Sequence, residues 1–471
     1  MPVWKTEGAV QVARRNVALS IATTLVLWVM TTGSIPWAEA GTTGSGAGVS
    51  QASRDLATTA QRTWKYFIDG TKNATGLPAD RIDLDPVIGE IAADKTSPTN
   101  IGMYLMSLTA AKDLGLVSSV DATKRLNGLI QTLNGLGKWN GFLYNWYDVT
   151  TGRPTSDKDA TFVSTVDNGW YAAGLIVARQ AFPNAAGELS RLLNVMDFSR
   201  LYDPAYGQMY GGYDPVQRSL VNWHYGNLNT ESRVADYIAI GEGKVPSTLW
   251  WKVYRTLPAS WTWQRQVPVG PTATHDGVSV IEGHYQWQGV NFVPSWGGSM
   301  FEALMPTLVL NEQQLAPNGF GANDLRMVQL QIKYALSTKH YGVWGISPCA
   351  LPDGGYGVFG VPPLGTSTYE EKGVITPHAT FLALNFEPAK ALSNLQQLKR
   401  KYHMFGPLGY YDSVNVHTAE ITKAYLALDE GMILVAIDNF EKHGRIQMYF
   451  NRDPIGRKPQ SLLSIENMFI K

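Results

Sequence analysis

Apolar positions recur at helical spacing along most of the chain from residue 51 onward. Ile101, Leu105 and Leu108 fall on one face of a segment that Ser97 can cap and that Gly115 ends. The same reading of spacing and end signals predicts twelve helices. They are at 51–69, 97–114, 119–134, 161–182, 186–197, 230–242, 246–256, 298–312, 322–339, 376–386, 388–402 and 419–441.

Alternation of apolar and polar residues is rare, and the best predicted strands are 143–149 and 445–450. Helices 161–182 and 419–441 carry apolar residues on more than one face, which suits a helix that is packed on both sides. No linker interrupts the pattern after residue 50. We therefore predict one all-α domain over residues 51–471, an (α/α)6 toroid of about twelve helices with long aromatic-rich loops over one end.

Residues 1–40 have the pattern of a signal peptide. Basic residues precede an apolar run at 17–30, and small residues at 38–40 offer a cleavage site. The run has about 14 residues, fewer than the ~20 that cross a bilayer, so a cleaved signal is preferred over a retained anchor. Gly, Thr and Ser dominate 41–50, which is predicted to be a flexible tether. The mature protein is expected to be secreted or periplasmic, without a stable membrane partner.

Composition excludes several classes of protein. Lys and Arg together number 39, as do Asp and Glu, so the chain lacks the positive field that nucleic-acid binding requires. The single Cys349 allows no internal disulfide and no CxxC zinc site. The motifs GxxxxGK, HExxH and GxSxG are absent, and the eight His are scattered. Asp pairs at 83/85 and 157/159 could bind calcium, but loop capping is the preferred interpretation. No metal or cofactor is predicted.

Aromatic residues in the loops predict a sugar-binding cleft. Six of the 15 Trp residues lie between residues 250 and 296. Aromatic planes stack on the apolar faces of pyranose rings, while polar groups bind the hydroxyls. Any single Trp could instead fill irregular loop packing, but the cluster as a whole favours the cleft. The candidate stacking platforms are Trp170, Trp223, Trp296, Trp344 and Tyr411.

Carboxylates beside polar and aromatic residues suit glycosidic cleavage, in which one acid protonates the leaving oxygen and another activates water or attacks the anomeric carbon. Glu231 follows an aromatic loop at a helix start, and Asp412 lies in a Gly/aromatic turn. Helix or turn capping is the alternative for both. Asp167 lies within a largely apolar helix, where an unpaired carboxylate is costly, so it needs a partner or lines a cavity. Glu302 lies near a helix start. Glu370 is a further candidate, and the alternative interpretation is that its side chain is simply solvated.

Four ordered motifs carry a resemblance to a known family. They are SWGGSMFEALMP (295–306), WGIS (344–347), YGVFGVP (356–362) and YLALDEGMILVA (425–436). These motifs resemble the glycoamylase-like domain, which occurs in endo-β-1,2-glucanases of glycoside hydrolase family 144 and in a module of cyclic β-1,2-glucan synthases. The resemblance spans roughly residues 55–450. It implies an (α/α)6 toroid and an exported glycan-active enzyme with no metal requirement.

The resemblance also implies roles for particular residues. In related inverting β-1,2-glucanases a mid-chain Glu is the acid and a late Asp is the base, and Glu231 and Asp412 resemble them in order and separation. The synthase module resembles a retaining transglycosylase that uses two Glu, which keeps Glu302 and Glu370 open. His378 stands where relatives often have Tyr, which points to an altered subsite.

The sequence therefore predicts an exported, monomeric glycoside hydrolase of poly- or oligosaccharide, most simply an inverting endo-β-1,2-glucanase. Glu231 is its general acid and Asp412 its base, with the two carboxyl groups about 6.5–9.5 Å apart. A retaining β-1,2-glucan transglycosylase, an α-glucan hydrolase and a non-catalytic glycan-binding protein are the alternatives. The predicted substrate-binding residues are Asp167, Trp170, Trp223, His224, Trp296, Glu302, Trp344, Tyr369, Glu370, His378 and Tyr411.

Overall fold

The structure is a computed structural model that describes residues 46–367 and 369–468. The predicted signal peptide, 1–40, lies outside the described residues, as do residues 41–45 of the predicted tether. The first helix begins at Gly46, within the segment 41–50 that is predicted to be a flexible tether. From residue 49 onward the chain forms one compact unit.

Sixteen α-helices lie in the described part of the chain. They are α1 (Gly46–Gly70), α2 (Pro98–Asp113), α3 (Ser119–Gly135), α4 (Thr165–Ala181), α5 (Ala186–Asn194), α6 (Arg233–Glu242), α7 (Thr248–Lys252), α8 (Met300–Leu304), α9 (Glu312–Leu315), α10 (Phe320–Lys333), α11 (Pro377–Leu382), α12 (Pro388–Lys401), α13 (Ala427–Glu441), α14 (Arg445–Arg452), α15 (Pro454–Arg457) and α16 (Gln460–Ile465). Each of the twelve predicted helices has a counterpart among α1–α8 and α10–α13. None of the sixteen is both long and apolar enough to cross a membrane.

Six helices pack side by side in the interior. Helix α2 contacts α4 and α13, α4 contacts α6, and α11 contacts both α8 and α13. Arg233 on α6 donates a hydrogen bond to the carbonyl oxygen of Ala303 on α8 at 2.8 Å, which connects the remaining neighbours. The burial of these helices agrees with an interior position. Helix α2 is buried from Pro98 to Ala111, and α13 is buried from Ala427 to Asn439.

The helices that alternate with these six along the chain are amphipathic. Helix α12 buries only Ala391, Asn394, Leu395 and Leu398, at helical spacing on one face. Helix α3 packs on α2, α5 on α4, α10 on α8 and α12 on α11. The chain therefore passes repeatedly from a one-sided outer helix to an inner helix that is covered on all sides.

Short strands replace much of the predicted loop structure. They are β1 (Arg81–Asp85), β2 (Gly89–Ala92), β3 (Lys95–Thr96), β4 (Lys138–Trp139), β5 (Phe142–Leu143), β6 (Tyr147–Asp148), β7 (Val163–Ser164), β8 (Tyr202–Asp203), β9 (Gln208–Met209), β10 (Gly212–Asp214), β11 (Ser219–Leu220), β12 (Thr272–His275), β13 (Val278–Ile281), β14 (Tyr285–Trp287), β15 (Val290–Phe292), β16 (Cys349–Ala350), β17 (Tyr356–Gly357), β18 (Val374–Ile375), β19 (Phe405–Gly406), β20 (Gly409–Tyr410), β21 (Ser413–Asn415), β22 (Ile421–Thr422) and β23 (Ala424–Leu426). Within the described residues they form ten antiparallel sheets of two or three strands. The protein is therefore helix-rich with small sheets, rather than purely helical.

One predicted element is wrong in kind and another is wrong at its start. The predicted strand 445–450 is helix α14, in which Ile446 and Phe450 are buried one turn apart. Apolar residues at 446, 448 and 450 satisfy both an alternating and a four-residue spacing, and the helical one prevails. The predicted helix 419–441 begins with β22 and β23, and only α13 is helical.

Candidate active site

Glu231 lies in a turn directly before α6, and hydrogen bonds fix the backbone around it. The Thr230 hydroxyl donates to the carbonyl oxygen of Asn227 at 2.8 Å, and the Asn229 amide donates to the carbonyl oxygen of Val293 at 2.8 Å. On the other side, Arg233 makes a buried bidentate ion pair with Glu312. The turn therefore holds the Glu231 side chain in a defined direction.

The Glu231 carboxyl is suited to keeping its proton. The side chain is half-buried, and its Oε2 atom is buried without a hydrogen-bond partner. Burial raises the pKa of Glu231 to about 8, and the nearby charges of Glu302 and Asp167 add to this. At neutral pH the carboxyl is therefore mostly protonated, as a general acid requires.

Asp167 faces the same region from α4. Its Oδ1 accepts a hydrogen bond from the Thr99 hydroxyl at 2.6 Å, which supplies the partner that its position within an apolar helix requires. The Tyr225 hydroxyl lies close to both acids, since burial and then the charges of Asp167 and Glu231 raise its pKa. Trp223 packs edge-on against Tyr225 with ring centroids 5.3 Å apart. Asp167 and Tyr225 are thus electrostatic neighbours of Glu231, and Trp223 packs on Tyr225.

Glu302 has a structural task rather than the predicted task of binding substrate hydroxyls. Its Oε2 accepts hydrogen bonds from the Ser295 hydroxyl at 2.9 Å and from the backbone N–H of Ser299 at 3.1 Å. The Gly297 N–H donates to both of its oxygens, and Ser299 completes a capping box at the start of α8. Tyr369 is buried beside this carboxylate, and the charge of Glu302 helps to raise the pKa of its hydroxyl.

Asp412 and Asp429 form a buried carboxyl pair. Asp412 lies between β20 and β21, and its Oδ2 accepts a hydrogen bond from the Ala350 N–H at 2.6 Å. Burial raises both pKa values, but the hydrogen bonds from Asp429 and Ala350 favour the charged form of Asp412. The pKa of Asp429 is raised well above its usual range by burial and by the Asp412 charge. Asp429 therefore holds its proton more tightly than Asp412, and Asp412 is the more acidic member of the pair.

His378 stands behind this pair. Its Nδ1 lies 3.3 Å from Oδ2 of Asp429, and burial lowers the pKa of its imidazole to about 3. The ring is therefore neutral and packs against the acids as a polar neighbour, not as a counter-ion. Among the described residues, His378, Asp412 and Asp429 are also the group that could offer metal ligands, with their ligand atoms within 4.8 Å of one another. The shared proton accounts for the same geometry without an ion.

Tyr356 connects the two halves of the site. Its side chain is 36% exposed, yet surrounding protein raises the pKa of its hydroxyl well above the usual range. The charges of Asp429, Asp412 and Glu231 all bear on this hydroxyl. Glu231 and Asp412 therefore both lie within electrostatic range of Tyr356.

Several predicted binding residues are buried or are engaged in other contacts. Trp170 is 1% exposed within α4, and Trp344 is 2% exposed, so neither can stack on a sugar. Trp344 instead lines a groove of about 370 Å³ between α10 and α12. Glu370 is exposed and pairs with Lys372, as simple solvation predicts. Tyr411 is half-buried and packs against Tyr425 with ring centroids 5.5 Å apart.

Other predicted residues keep an accessible face. Trp223, His224 and Trp296 are half-buried. His224 Nε2 lies 2.9 Å from an Asp203 carboxylate oxygen, and its ring stacks on Tyr210 with centroids 4.8 Å apart. Asp203 thus orients a histidine that directly follows Trp223 in sequence.

Sequence reasoning missed Tyr356 and Asp429 as members of the site. Both lie within the quoted motifs, so the motifs could have singled them out. Asp429 also lies in an otherwise apolar helical run, which is the signal that identified Asp167. Tyr356 carries no such signal, because a tyrosine beside glycines is common in loops.

Two family models match the chain in succession. Residues 266–454 match the Glycoamylase family, described as "Putative glucoamylase". Residues 58–248 match a family described as a protein of unknown function. All four quoted motifs fall within 266–454. The resemblance to glycoamylase-like domains is therefore confirmed for that part of the chain.

One curated relative extends the similarity. The chain is 25% identical over 564 aligned residues to the cyclic β-(1,2)-glucan synthase NdvB of Rhizobium meliloti. The alignment covers 88% of this chain but only 18% of the synthase. The chain therefore spans less than a fifth of the length of that relative.

Solved structures share the fold. A "putative glucoamylase" from Bacteroides fragilis matches with a TM-score of 0.68 at 20% identity, over 91% of this chain and 99% of that one. The endo-β-1,2-glucanase from Chitinophaga pinensis, solved with sophorotriose and glucose, matches with a TM-score of 0.68 at 18% identity, over 88% of this chain and 98% of that one. These similarities establish the fold of the chain.

Proposed function

We propose that this protein is an exported glycoside hydrolase that cleaves β-1,2-glucan internally and with inversion. One observation carries the proposal: the Glu231 carboxyl, which burial keeps protonated near neutral pH, lies within electrostatic range of the same tyrosine as Asp412, the more acidic member of the buried carboxyl pair. The named substrates of the relatives, a β-1,2-glucan synthase and an endo-β-1,2-glucanase, support the choice of linkage. The N-terminal signal pattern supports export.

In this mechanism Glu231 donates its proton to the glycosidic oxygen as the bond to the anomeric carbon breaks. Asp412 takes a proton from water, directly or through a substrate hydroxyl, and that water attacks the opposite face of the sugar. Asp429 holds Asp412 in its charged form by donating a hydrogen bond to it. Asp167 helps to keep the proton on Glu231, because its charge opposes a second charge nearby.

The helices fit an (α/α)6 toroid. The six side-by-side helices α2, α4, α6, α8, α11 and α13 would form the inner ring, and α1, α3, α5, α7, α10 and α12 the outer one. Alternation of inner and outer helices along the chain supports this arrangement. Such a ring places residues at the starts of α4 and α6, including Asp167 and Glu231, at a common mouth.

Glu231→Gln tests the proposal. The substitution keeps the shape of the side chain but removes the transferable proton, so release of reducing ends from linear β-1,2-glucan should fall about 100-fold or more. Thermal unfolding and glucan binding should remain unchanged. Glu370→Gln is the matched control, because Glu370 is exposed and ion-paired, and it should retain full activity.

Three results would contradict the proposal in different ways. Near-normal activity of Glu231→Gln would remove Glu231 as the acid. Longer or cyclic products without a net gain of reducing ends would indicate transglycosylation. Binding of glucan without any cleavage by the unsubstituted protein would indicate a glycan-binding protein that lacks catalysis.

A further inference from the structure

Two tryptophans stand out on the surface of the loop that follows α7. Trp261 is 39% exposed and Trp263 is 55% exposed, and they are the only Trp side chains among the described residues in the exposed class. Single exposed apolar side chains are common, but contiguous exposed apolar patches mark interaction sites. Neither residue belongs to the site around Glu231 and Asp412.

The loop is built to hold these rings in place. Gln264, next to Trp263, is buried, and its amide donates a hydrogen bond to the carbonyl oxygen of Pro258 at 2.7 Å. The Tyr285 hydroxyl donates to its Oε1 at 2.6 Å. The Arg265 N–H donates to the carbonyl oxygen of Thr366 at 3.2 Å. Exposed rings on an anchored loop lose little conformational entropy when they bind a partner.

The two tryptophans are the middle of a continuous arc of rings, which we call the aromatic arc: Tyr254, Trp261, Trp263 and Trp296. Trp261 lies 5.6 Å from Tyr254 and 6.0 Å from Trp263, measured between ring centroids. Trp263 lies 5.8 Å from Trp296. Edge-to-face contacts at both ends, at 68° and 60°, fix the orientation of the middle pair.

Both ends of the aromatic arc reach the catalytic region. The Tyr254 N–H donates to the carbonyl oxygen of Gly226 at 2.8 Å, in the segment that leads to Glu231. Trp296 directly precedes Gly297, whose N–H donates to Glu302. The Asn227 side chain donates to the Thr366 hydroxyl at 3.4 Å and ties the two segments together. A ligand that passes over the arc therefore continues towards Glu231.

We infer that the aromatic arc is a distal glucan-binding surface, which holds sugar units of a long β-glucan beyond the bond that is cleaved. The inference rests on the proposed function for the identity of the polymer. Flat rings without formal charge suit the apolar faces of pyranoses, and the arc continues from the cleft that would hold the scissile bond. A glucan long enough to contact both the cleft and the aromatic arc gains binding free energy from both.

The test compares long and short ligands. Affinity electrophoresis in the cold with linear β-1,2-glucan measures long-chain binding, and calorimetry with the disaccharide sophorose measures binding in the cleft. A variant with both Trp261→Ala and Trp263→Ala should bind the long glucan about tenfold or more weakly, with sophorose binding within a factor of about two of the parent. Trp287→Ala is the matched control, because Trp287 is half-buried on the β14–β15 hairpin and contacts Tyr334 instead.

Each outcome decides the matter. Equal long-glucan binding by the double variant and the parent would overturn the inference, as would an equal loss in Trp287→Ala. Parallel loss of sophorose and long-glucan binding would show that the rings belong to the cleft itself. The unsubstituted protein could bind long glucan through Trp261 and Trp263 and yet release no reducing ends. That result would refute the proposed hydrolysis but would support the binding role of the aromatic arc.

Discussion

A carboxyl group in this protein keeps or loses its proton according to how much water surrounds it. Asp85 is solvated in the β1–β2 turn, and hydrogen bonds from the N–H groups of Ile88 and Val87 lower its pKa. Glu231 also lies in a turn, but burial outweighs the helix start behind it and raises its pKa to about 8. The same chemical group is therefore a charged cap in one turn and a protonated acid near neutral pH in the other.

This difference predicts the pH dependence of hydrolysis. Only protonated Glu231 can act as the acid, so kcat/KM should fall as pH rises through about 8. Asp167→Asn removes a charge that favours the proton on Glu231, so the alkaline limb should move to lower pH. A pH profile of kcat/KM on linear β-1,2-glucan measures both effects. Asp85→Asn should leave the limb in place, and an alkaline limb near the ordinary pKa of a glutamate would contradict the assignment.

The sequence predicted single residues best where a charge interrupts an apolar pattern. Asp167 was identified in this way, and the structure provides its partner, Thr99. Trp170 was misassigned because composition does not tell which face of an all-round apolar helix meets a cavity. Glu302 was misassigned because the Ser-x-x-Glu spacing from Ser299, which is the signature of a capping box, was overlooked. Its further hydrogen bond from the Gly297 N–H has no such signature.

At the scale of helices, the inner pair α2 and α4 pack at backbone distance. A Cβ atom on Gly102 would lie 2.3 Å from the carbonyl oxygen of Trp170, and one on Gly174 would lie 2.6 Å from that of Gly102. Only glycine permits this approach, because backbone atoms cannot move aside as a flexible side chain can. The two glycines therefore set the distance between neighbouring inner helices.

Gly102→Ala should consequently destabilise the protein. Forcing α2 and α4 apart should cost about 1–3 kcal/mol of unfolding free energy, measured by urea unfolding. Gly128→Ala is the matched control on helix α3, where a Cβ would meet nothing within 4 Å. It should stabilise by about 0.5–1 kcal/mol, because alanine favours the helix. Equal effects of the two substitutions would show that α2 and α4 are not in such close contact.

Helical periodicity predicted the number and order of the twelve main helices, because a helix that buries one or more faces needs apolar residues at helical spacing. The ends of these helices were harder to predict. Strand β22 pairs with β21, which directly precedes it along the chain, whereas β23 pairs with β1, a segment that is remote in sequence. Strand pairing of this kind overrides the local spacing of apolar residues. Because the apolar run continues from these strands into α13, the sequence pattern alone cannot separate the strands from the helix.

Over the whole molecule, the inner helices carry acids that the proposed reaction does not use. Asp236 on α6 and Asp438 on α13 are buried, and neither carboxyl has a hydrogen-bond partner. Burial raises the pKa of each to about 8. The folded protein therefore holds two protons at neutral pH that its unfolded chain releases.

These acids should make the fold less stable as pH rises. Between the unfolded pKa, near 4, and the folded pKa, about 8, the native state binds more protons, so stability falls by up to about 1.4 kcal/mol per pH unit for each acid. Asp236→Asn removes one of these titrations, so urea unfolding at pH 5 and pH 8 should show the variant gaining on the parent at the higher pH. The exposed control Asp159→Asn should keep a constant difference. If the stability curves of the parent and Asp236→Asn run parallel, Asp236 stays ionised in the fold, and water or an ion must reach the interior of the helices.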